Sequence, residues 1–182
     1  MLIPNIVVRI LEIGARTGGA TAAVLDVLAP DTTFKRFQEY VFTDPAKQCV
    51  SQAQSRFNGH RGISFRGLDI QKDPTTQGFE PKTFDLAIVT GHLSEATDAV
   101  GALKHARSLL KPGAKLALLE ITRPKLGYEI ITRILNILDE RWDGTPPCRS
   151  EEQWHPVLED AGFSKCDISL DDVCYGPLYE PL

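Results

Sequence analysis

The chain of 182 residues reads as a single α/β domain, a doubly wound and mostly parallel sheet of the Rossmann-like kind. Two observations predict this. Apolar, β-branched runs alternate with segments of helical spacing along the whole sequence. The runs are also nearly continuous in their apolar character, as in strands buried on both faces. A hydrophobic content of 42% is enough for a packed core.

The elements follow in order. IVVRILEI (6–13) is the first strand. ATAAVLDVLA (20–29) is a helix that stops at Pro30. EYVFTD (39–44) is the second strand, and PAKQCVSQAQSRF (45–57) is a helix opened by proline, whose missing N–H costs nothing there. ISFRGLDI (63–70) and TFDLAIVTG (83–91) are the third and fourth strands. ATDAVGALKHARSLL (96–110) is helical until Lys-Pro-Gly, and AKLALLEI (114–121) is the fifth strand. GYEIITRILNILDERW (127–142) has helical spacing, and Ser150 to Gln153 forms a capping box for a helix that Gly162 ends. KCDISLDD (165–172) is expected as a last strand. There is no internal repeat, and DGTPPCRS (143–150) is too short to divide domains.

Composition excludes several function classes. With 20 Lys+Arg against 24 Asp+Glu the formal charge is -4, which argues against a nucleic-acid surface. Lys104, His105, Arg107 and Lys111 read as the solvated face of one helix. The cysteines Cys49, Cys148, Cys166 and Cys174 show no paired or zinc-like spacing, so neither metal nor disulfide is expected and the thiols fit a reducing, cytoplasmic setting. No apolar run approaches the ~20 residues that cross a bilayer, and the N-terminal stretch lacks the basic start of a signal peptide.

In doubly wound sheets ligands bind beyond the carboxyl ends of the strands. The residues there are Glu12, Gly14, Arg16 and Gly18 after the first strand, Asp44 after the second and Asp69 with Ile70 after the third. Gly91 to Glu95 follow the fourth strand, and Glu120 ends the fifth. The string G-A-R-T-G-G does not fit the G-x-G-x-x-G spacing of a dinucleotide turn. It fits an acidic-x-G-x-G-x-G turn, with Arg16 in the middle glycine's place. That turn belongs to S-adenosyl-L-methionine sites, where Asp44 can accept both ribose hydroxyls and the Asp69–Ile70 region can meet the adenine amine. A nicotinamide-dependent reductase is disfavoured by the same spacing and by the absence of a Tyr-x-x-x-Lys pair.

LEIGARTGGAT, YVFTD, LDIQKDPTTQGFEPKTFDLAIV, ARSLLKPGAKLALLEITRP and SEEQWHPVLEDAGFSKCD together resemble the C-methyltransferase domain of fungal reducing polyketide synthases, within the class I methyltransferases. The resemblance covers nearly the whole chain. It implies an S-adenosyl-L-methionine cofactor and methylation at the α-carbon of a β-ketoacyl chain carried as a thioester. It also implies a general base, a His after the fourth strand, oriented by a Glu ending the fifth. Aligned without gaps from LLKPG, that Glu is Glu120, the family's Asn is Gly91 and its His falls on Ser94. The orienting carboxylate is therefore expected and the base is not, and His92 or Glu95 can take the role after a local slip. Relative to the family, the N-terminal lid and the last antiparallel strand are expected to be missing, with a partner chain or homodimer mate completing the cover. Two readings stay open. One is a methyltransferase acting on a small or carrier-bound polyketide intermediate at carbon or oxygen. The other is a silent methyltransferase-like remnant or scaffold.

Overall fold

The computed structural model describes residues 8–30, 35–91, 93, 96–122, 148–164 and 166–170. Strand β1 is Arg9–Ile13, and helix α1, Gly19–Leu28, follows across a glycine turn. Strand β2 is Glu39–Asp44, helix α2 is Lys47–Arg56 and strand β3 is Ile63–Gly67. A short 3-10 turn, Pro74–Gln77, precedes strand β4, Phe84–Thr90. Helix α3 is Ala99–Leu109, strand β5 is Leu110–Leu119 and helix α4 is Glu151–Asp160.

All recorded strand pairings are parallel, in the order β3-β2-β1-β4-β5. The chain therefore starts at the centre, winds outward through β2 and β3, and returns past β1 to β4. Alternation along each strand then divides the core in two. Leu11, Ile13, Val41, Ala87 and Val89 point to one side and pack with Leu103, Ala106, Leu109 of α3 and Trp154 of α4. Ile10, Tyr40, Phe42 and Ile88 point to the other, with Leu25 of α1 and Ala53 of α2. Both faces of the central strands are covered, which is why their sequences carry so little polar alternation.

Local signals explain the boundaries. Asp98 caps α3 by accepting the Gly101 N–H at 2.7 Å. The expected capping box of α4 is present in both directions, with Gln153 N–H on Ser150 Oγ at 3.3 Å and Ser150 N–H on Gln153 Oε1 at 2.8 Å. Lys-Pro-Gly does not form a loop of its own. Helix α3 ends at Leu109, β5 begins at the next residue, and the extra length is absorbed where Phe84 pairs with Leu110 but Leu86 pairs with Lys115. β3 ends at Gly67 and not at Ile70, because the Asp69–Ile70 backbone turns toward side-chain partners described below. The expected last strand at 165–172 is corrected: its described residues, 166–170, form no strand. Ile168 and Leu170 are 74% and 87% exposed, so they do not supply the buried face that a strand needs here. The expected helix at 127–142 lies outside the described residues. Among the described residues no helix is long and apolar enough to cross a membrane, and Cys49, Cys148 and Cys166 form no disulfide.

Candidate active site

The point where the winding reverses lies between β1 and β4, the place beyond the strands' carboxyl ends where doubly wound sheets bind ligands. The first loop is the glycine turn. Gly14, Arg16 and Gly18 all have positive φ, at 69°, 49° and 77°. Arg16 thus occupies a left-handed conformation that suits glycine and strains other residues.

The surrounding hydrogen bonds explain why the strain persists. The Arg16 N–H donates to Asp44 Oδ2 at 2.8 Å, and the Ala15 N–H donates to the Thr43 carbonyl at 3.0 Å. Thr90 Oγ1 donates to the Gly14 carbonyl at 3.2 Å. The turn is pinned to β2 on one side and to β4 on the other. From the same residue the guanidinium donates to the Gly91 carbonyl at 3.2 Å. Arg16 therefore spans the switch point, its backbone held by one wall and its side chain resting on the other.

Asp44 is 3% exposed. Its second oxygen accepts the Ala46 N–H at 2.8 Å, so one carboxylate organises both the glycine turn and the entry to α2. The Cys49 thiol is a further hydrogen-bond partner of this carboxylate. Gly18 is the N-cap of α1 and makes no side-chain cap, while the Thr21 N–H of the first turn is taken by Glu12. The N-terminus of α1 stands beside the turn and favours anions.

Glu12 departs from the sequence expectation, which grouped it with the ligands. It is 0% exposed, pointing with Ile10 to the α1 side of the sheet. Its Oε2 accepts hydroxyl protons from Thr21 at 2.6 Å and from Tyr40 at 2.6 Å, while Oε1 has no partner among the described residues. Burial raises its pKa above the ordinary carboxylate value, against the opposing pull of the Thr21 and Tyr40 hydrogen bonds. Burial, with the Glu12 charge beside it, likewise raises the Tyr40 phenol. These three residues tie β1, β2 and α1 together directly beneath the glycine turn. Tyr40 was not singled out from the sequence, where it reads as one more aromatic in a strand.

On the far side of β2, the Asp69 carboxylate accepts the Gln71 N–H at 3.1 Å and pairs with Lys72 at 2.8 Å. Ile70 is buried, and its carbonyl lies 2.8 Å from His105 Nδ1. On the β4 side, the Gly91 N–H donates to the Leu119 carbonyl at 2.8 Å. The Leu93 N–H donates to Glu120 Oε1 at 3.0 Å, and Leu93 is fully buried. Glu120 therefore holds Leu93, two residues beyond Gly91. The candidate bases His92, Ser94 and Glu95 lie outside the described residues.

A parallel sheet in the order β3-β2-β1-β4-β5, with a glycine turn at the switch point and an acidic residue ending β2, defines a class I methyltransferase fold of the Rossmann-like type. The comparisons carry this further. A family described as "Methyltransferase domain" matches residues 11–116, more than half of the chain, and the chain belongs to that family. A highly reducing polyketide synthase of Aspergillus sclerotiorum is 39% identical over 170 residues, covering 90% of this chain. Prosolanapyrone synthase of Alternaria solani is 36% identical over 175 residues, covering 93%. The chain spans only 6% of the length of each of these relatives. Among solved structures, the trans-methyltransferase CalH in complex with SAH superimposes with a TM-score of 0.78 at 36% identity. That match covers 87% of this chain and 45% of the other. The CurJ carbon methyltransferase gives a TM-score of 0.75 at 35% identity, over 90% of this chain and 43% of the other. The family is S-adenosylmethionine-dependent.

Proposed function

We propose that this domain methylates a polyketide or related secondary-metabolite intermediate, carried as an acyl thioester or presented as a small molecule. The acceptor is the α-carbon of a β-ketoacyl group, with an enol or phenol oxygen as the other acceptor of the same chemistry. The observation that carries this is a pair of carboxylates, each holding a backbone segment on its own side of the switch point. Asp44 sets the glycine turn on one side, and Glu120 sets the loop after β4 on the other. The similarity to carbon methyltransferases at 35% identity supports the choice of carbon.

The residues present fit S-adenosylmethionine. Its two ribose hydroxyls need acceptors, and Asp44 offers a buried carboxylate fixed by two backbone N–H groups. Its carboxylate needs cationic or N–H donors, and the Arg16 guanidinium and the N-terminus of α1 stand at the turn. Its adenine needs an acceptor beside a donor, which the Asp69–Ile70 segment offers. Gly14, Gly18 and Gly91 keep the backbone close to these groups without side-chain bulk. When bound, the cofactor supplies an electrophilic sulfonium methyl group.

This chain's own part of the chemistry is to remove the α-proton and hold the resulting enolate. Glu120 holds Leu93, and the base is assigned to its neighbours, to His92 or Glu95 with Ser94 in a supporting role. A serine hydroxyl is too weakly basic at neutral pH to take the proton unaided. Exclusion of water would protect the enolate. The cover is assigned to a partner chain, a homodimer mate or another part of a longer chain. A cytoplasmic location accords with cysteines that show no paired spacing in the sequence.

Isothermal titration with S-adenosylmethionine, followed by transfer of a labelled methyl group to β-ketoacyl thioesters, tests the proposal. Binding with transfer that Asp44→Ala abolishes is the expected result, and a folded protein that does not bind refutes it. One observation favours the second reading, a catalytically silent scaffold: the strained Arg16 lays its side chain across the switch point onto Gly91. Binding without transfer to any β-ketoacyl or hydroxy-aromatic acceptor is the outcome that reading expects.

A further inference from the structure

We propose that Gln77 is a positioning residue for the adenine end of the cofactor site, an inference that rests on the S-adenosylmethionine reading above. Its side-chain carboxamide pairs with both backbone groups of Asp69. The Asp69 N–H donates to Gln77 Oε1 at 2.8 Å, and Gln77 Nε2 donates to the Asp69 carbonyl at 2.9 Å. The amide acts as a strand neighbour one residue long, and it continues the ladder past the end of β3 at Gly67. Nε2 also lies 3.3 Å from the carbonyls of Lys72 and Asp73, so the same group closes the turn after Ile70.

The residue is itself well anchored. It ends the 3-10 turn Pro74–Gln77, whose N-cap Asp73 accepts the Thr75 N–H at 2.8 Å. The next residue, Gly78, offers its carbonyl to Arg66 of β3 at 2.8 Å. Arg66 in turn stacks 3.8 Å from the centre of the buried Phe79 ring. The clamp is thereby tied to the sheet.

What the clamp leaves over points to a ligand. Of the four backbone polar groups of Asp69 and Ile70, Gln77 engages two, and the Ile70 carbonyl faces His105 Nδ1. The Ile70 N–H has no acceptor among the described residues, although Ile70 is only 2% exposed. A buried backbone donor is rarely left unpaired. It sits one residue from the Asp69 carboxylate, and an acceptor beside a donor is the complement of the amine and adjacent ring nitrogen on adenine's edge. A ligand carrying hypoxanthine has an N–H and a carbonyl at those two places and does not match.

The test compares S-adenosylhomocysteine with S-inosylhomocysteine, titrated calorimetrically into the full chain as wild type, Gln77→Leu and Gln77→Glu. Gln77→Glu keeps shape and volume but puts a carboxylate against three carbonyls. Wild type is expected to prefer the adenine ligand by about tenfold or more, the worth of one or two buried hydrogen bonds. Both variants are expected to lose about tenfold in affinity for the adenine ligand while the inosine ligand changes little, so the preference collapses. A general loss of structure would weaken both ligands alike, and that outcome overturns the inference, as does an unchanged preference in Gln77→Glu. Failure of wild type to bind S-adenosylhomocysteine overturns the cofactor reading and the inference with it.

Discussion

Two adjacent glycines in the cofactor turn are expected to respond to alanine with opposite signs. At Gly18 the backbone has φ +77°, and an added Cβ would lie 2.6 Å from Phe57 Cε2 and 3.0 Å from Cζ. The left-handed conformation costs an L-residue roughly 1–2 kcal/mol. The Phe57 ring is 4% exposed and packs among Phe42, Ala53 and Leu25, so moving it adds an overpacking cost of about 1–3 kcal/mol. Less chain entropy in the unfolded state returns part of this, and Gly18→Ala is expected to lose about 2–4 kcal/mol. At Gly19, the first residue of α1, a Cβ meets nothing within 4 Å. There the helix preference of alanine and the same entropy effect are expected to stabilise by about 0.4–1 kcal/mol. Urea unfolding followed by circular dichroism measures both, with unchanged slopes as the check that only the native state is affected. A Gly18→Ala loss below about 1 kcal/mol, or equal losses at both positions, would refute this account of the turn.

Arg16→Gly removes the left-handed strain and an exposed 3.2 Å hydrogen bond, while glycine adds unfolded-chain entropy. The effects offset, so urea melts should stay within about 1 kcal/mol of wild type. Affinity for S-adenosylhomocysteine should fall about tenfold if the guanidinium is a ligand, and a tighter complex would show it to be an obstruction. Tyr40→Phe strips a hydroxyl donor from the buried Glu12 and should cost about 1–3 kcal/mol of unfolding free energy. Glu12 also sets a pH dependence. Its folded pKa is raised, so its contribution favours the folded state fully below the unfolded value, about 4.3, and is lost as pH rises through the folded pKa. Stability in urea should therefore decline over that interval in wild type, and Glu12→Gln should remove the decline.

The sequence made the sheet legible because burial on both faces leaves a strong mark: Ile10, Leu11, Ile13 and Val41 have no polar alternation to confuse them with surface strands. The caps were equally plain, since Ser150 and Gln153 satisfy each other locally. What was not legible depends on contacts between distant residues. Gln77 is an ordinary polar residue in a loop until the chain brings it eight positions back onto Asp69. Tyr40 becomes a Glu12 partner only across 28 residues of chain. Glu12 reads in the sequence as a turn residue beside a ligand, and its enclosure is invisible there. Nothing in an acidic residue before glycine says that Thr21 and Tyr40 will enclose it. The strand expected at 165–172 failed for a different reason. Alternating Ile168 and Leu170 satisfy the period-two pattern, yet pattern alone cannot say whether a sheet edge receives them.

The two site carboxylates share a feature that bears on how mutants should be interpreted. Asp44 gives one lone pair on each oxygen to backbone N–H groups, of Arg16 and of Ala46, and Glu120 gives one to Leu93. Each therefore shapes a loop before any ligand arrives, and Asp44 does so for a residue held at positive φ. Loss of cofactor binding in Asp44→Ala has two physical sources, a missing ribose acceptor and a turn released from its strain. They separate on stability. Removing an acceptor of two backbone N–H groups from a site 3% exposed leaves both donors unsatisfied and should lower unfolding free energy by about 1–3 kcal/mol for each. Combining Asp44→Ala with Arg16→Gly, which lets the turn relax, should restore part of that stability but none of the binding if the carboxylate itself meets the ribose. Recovery of binding in the double variant would place Asp44 among the residues that shape the site and not among those that touch the cofactor.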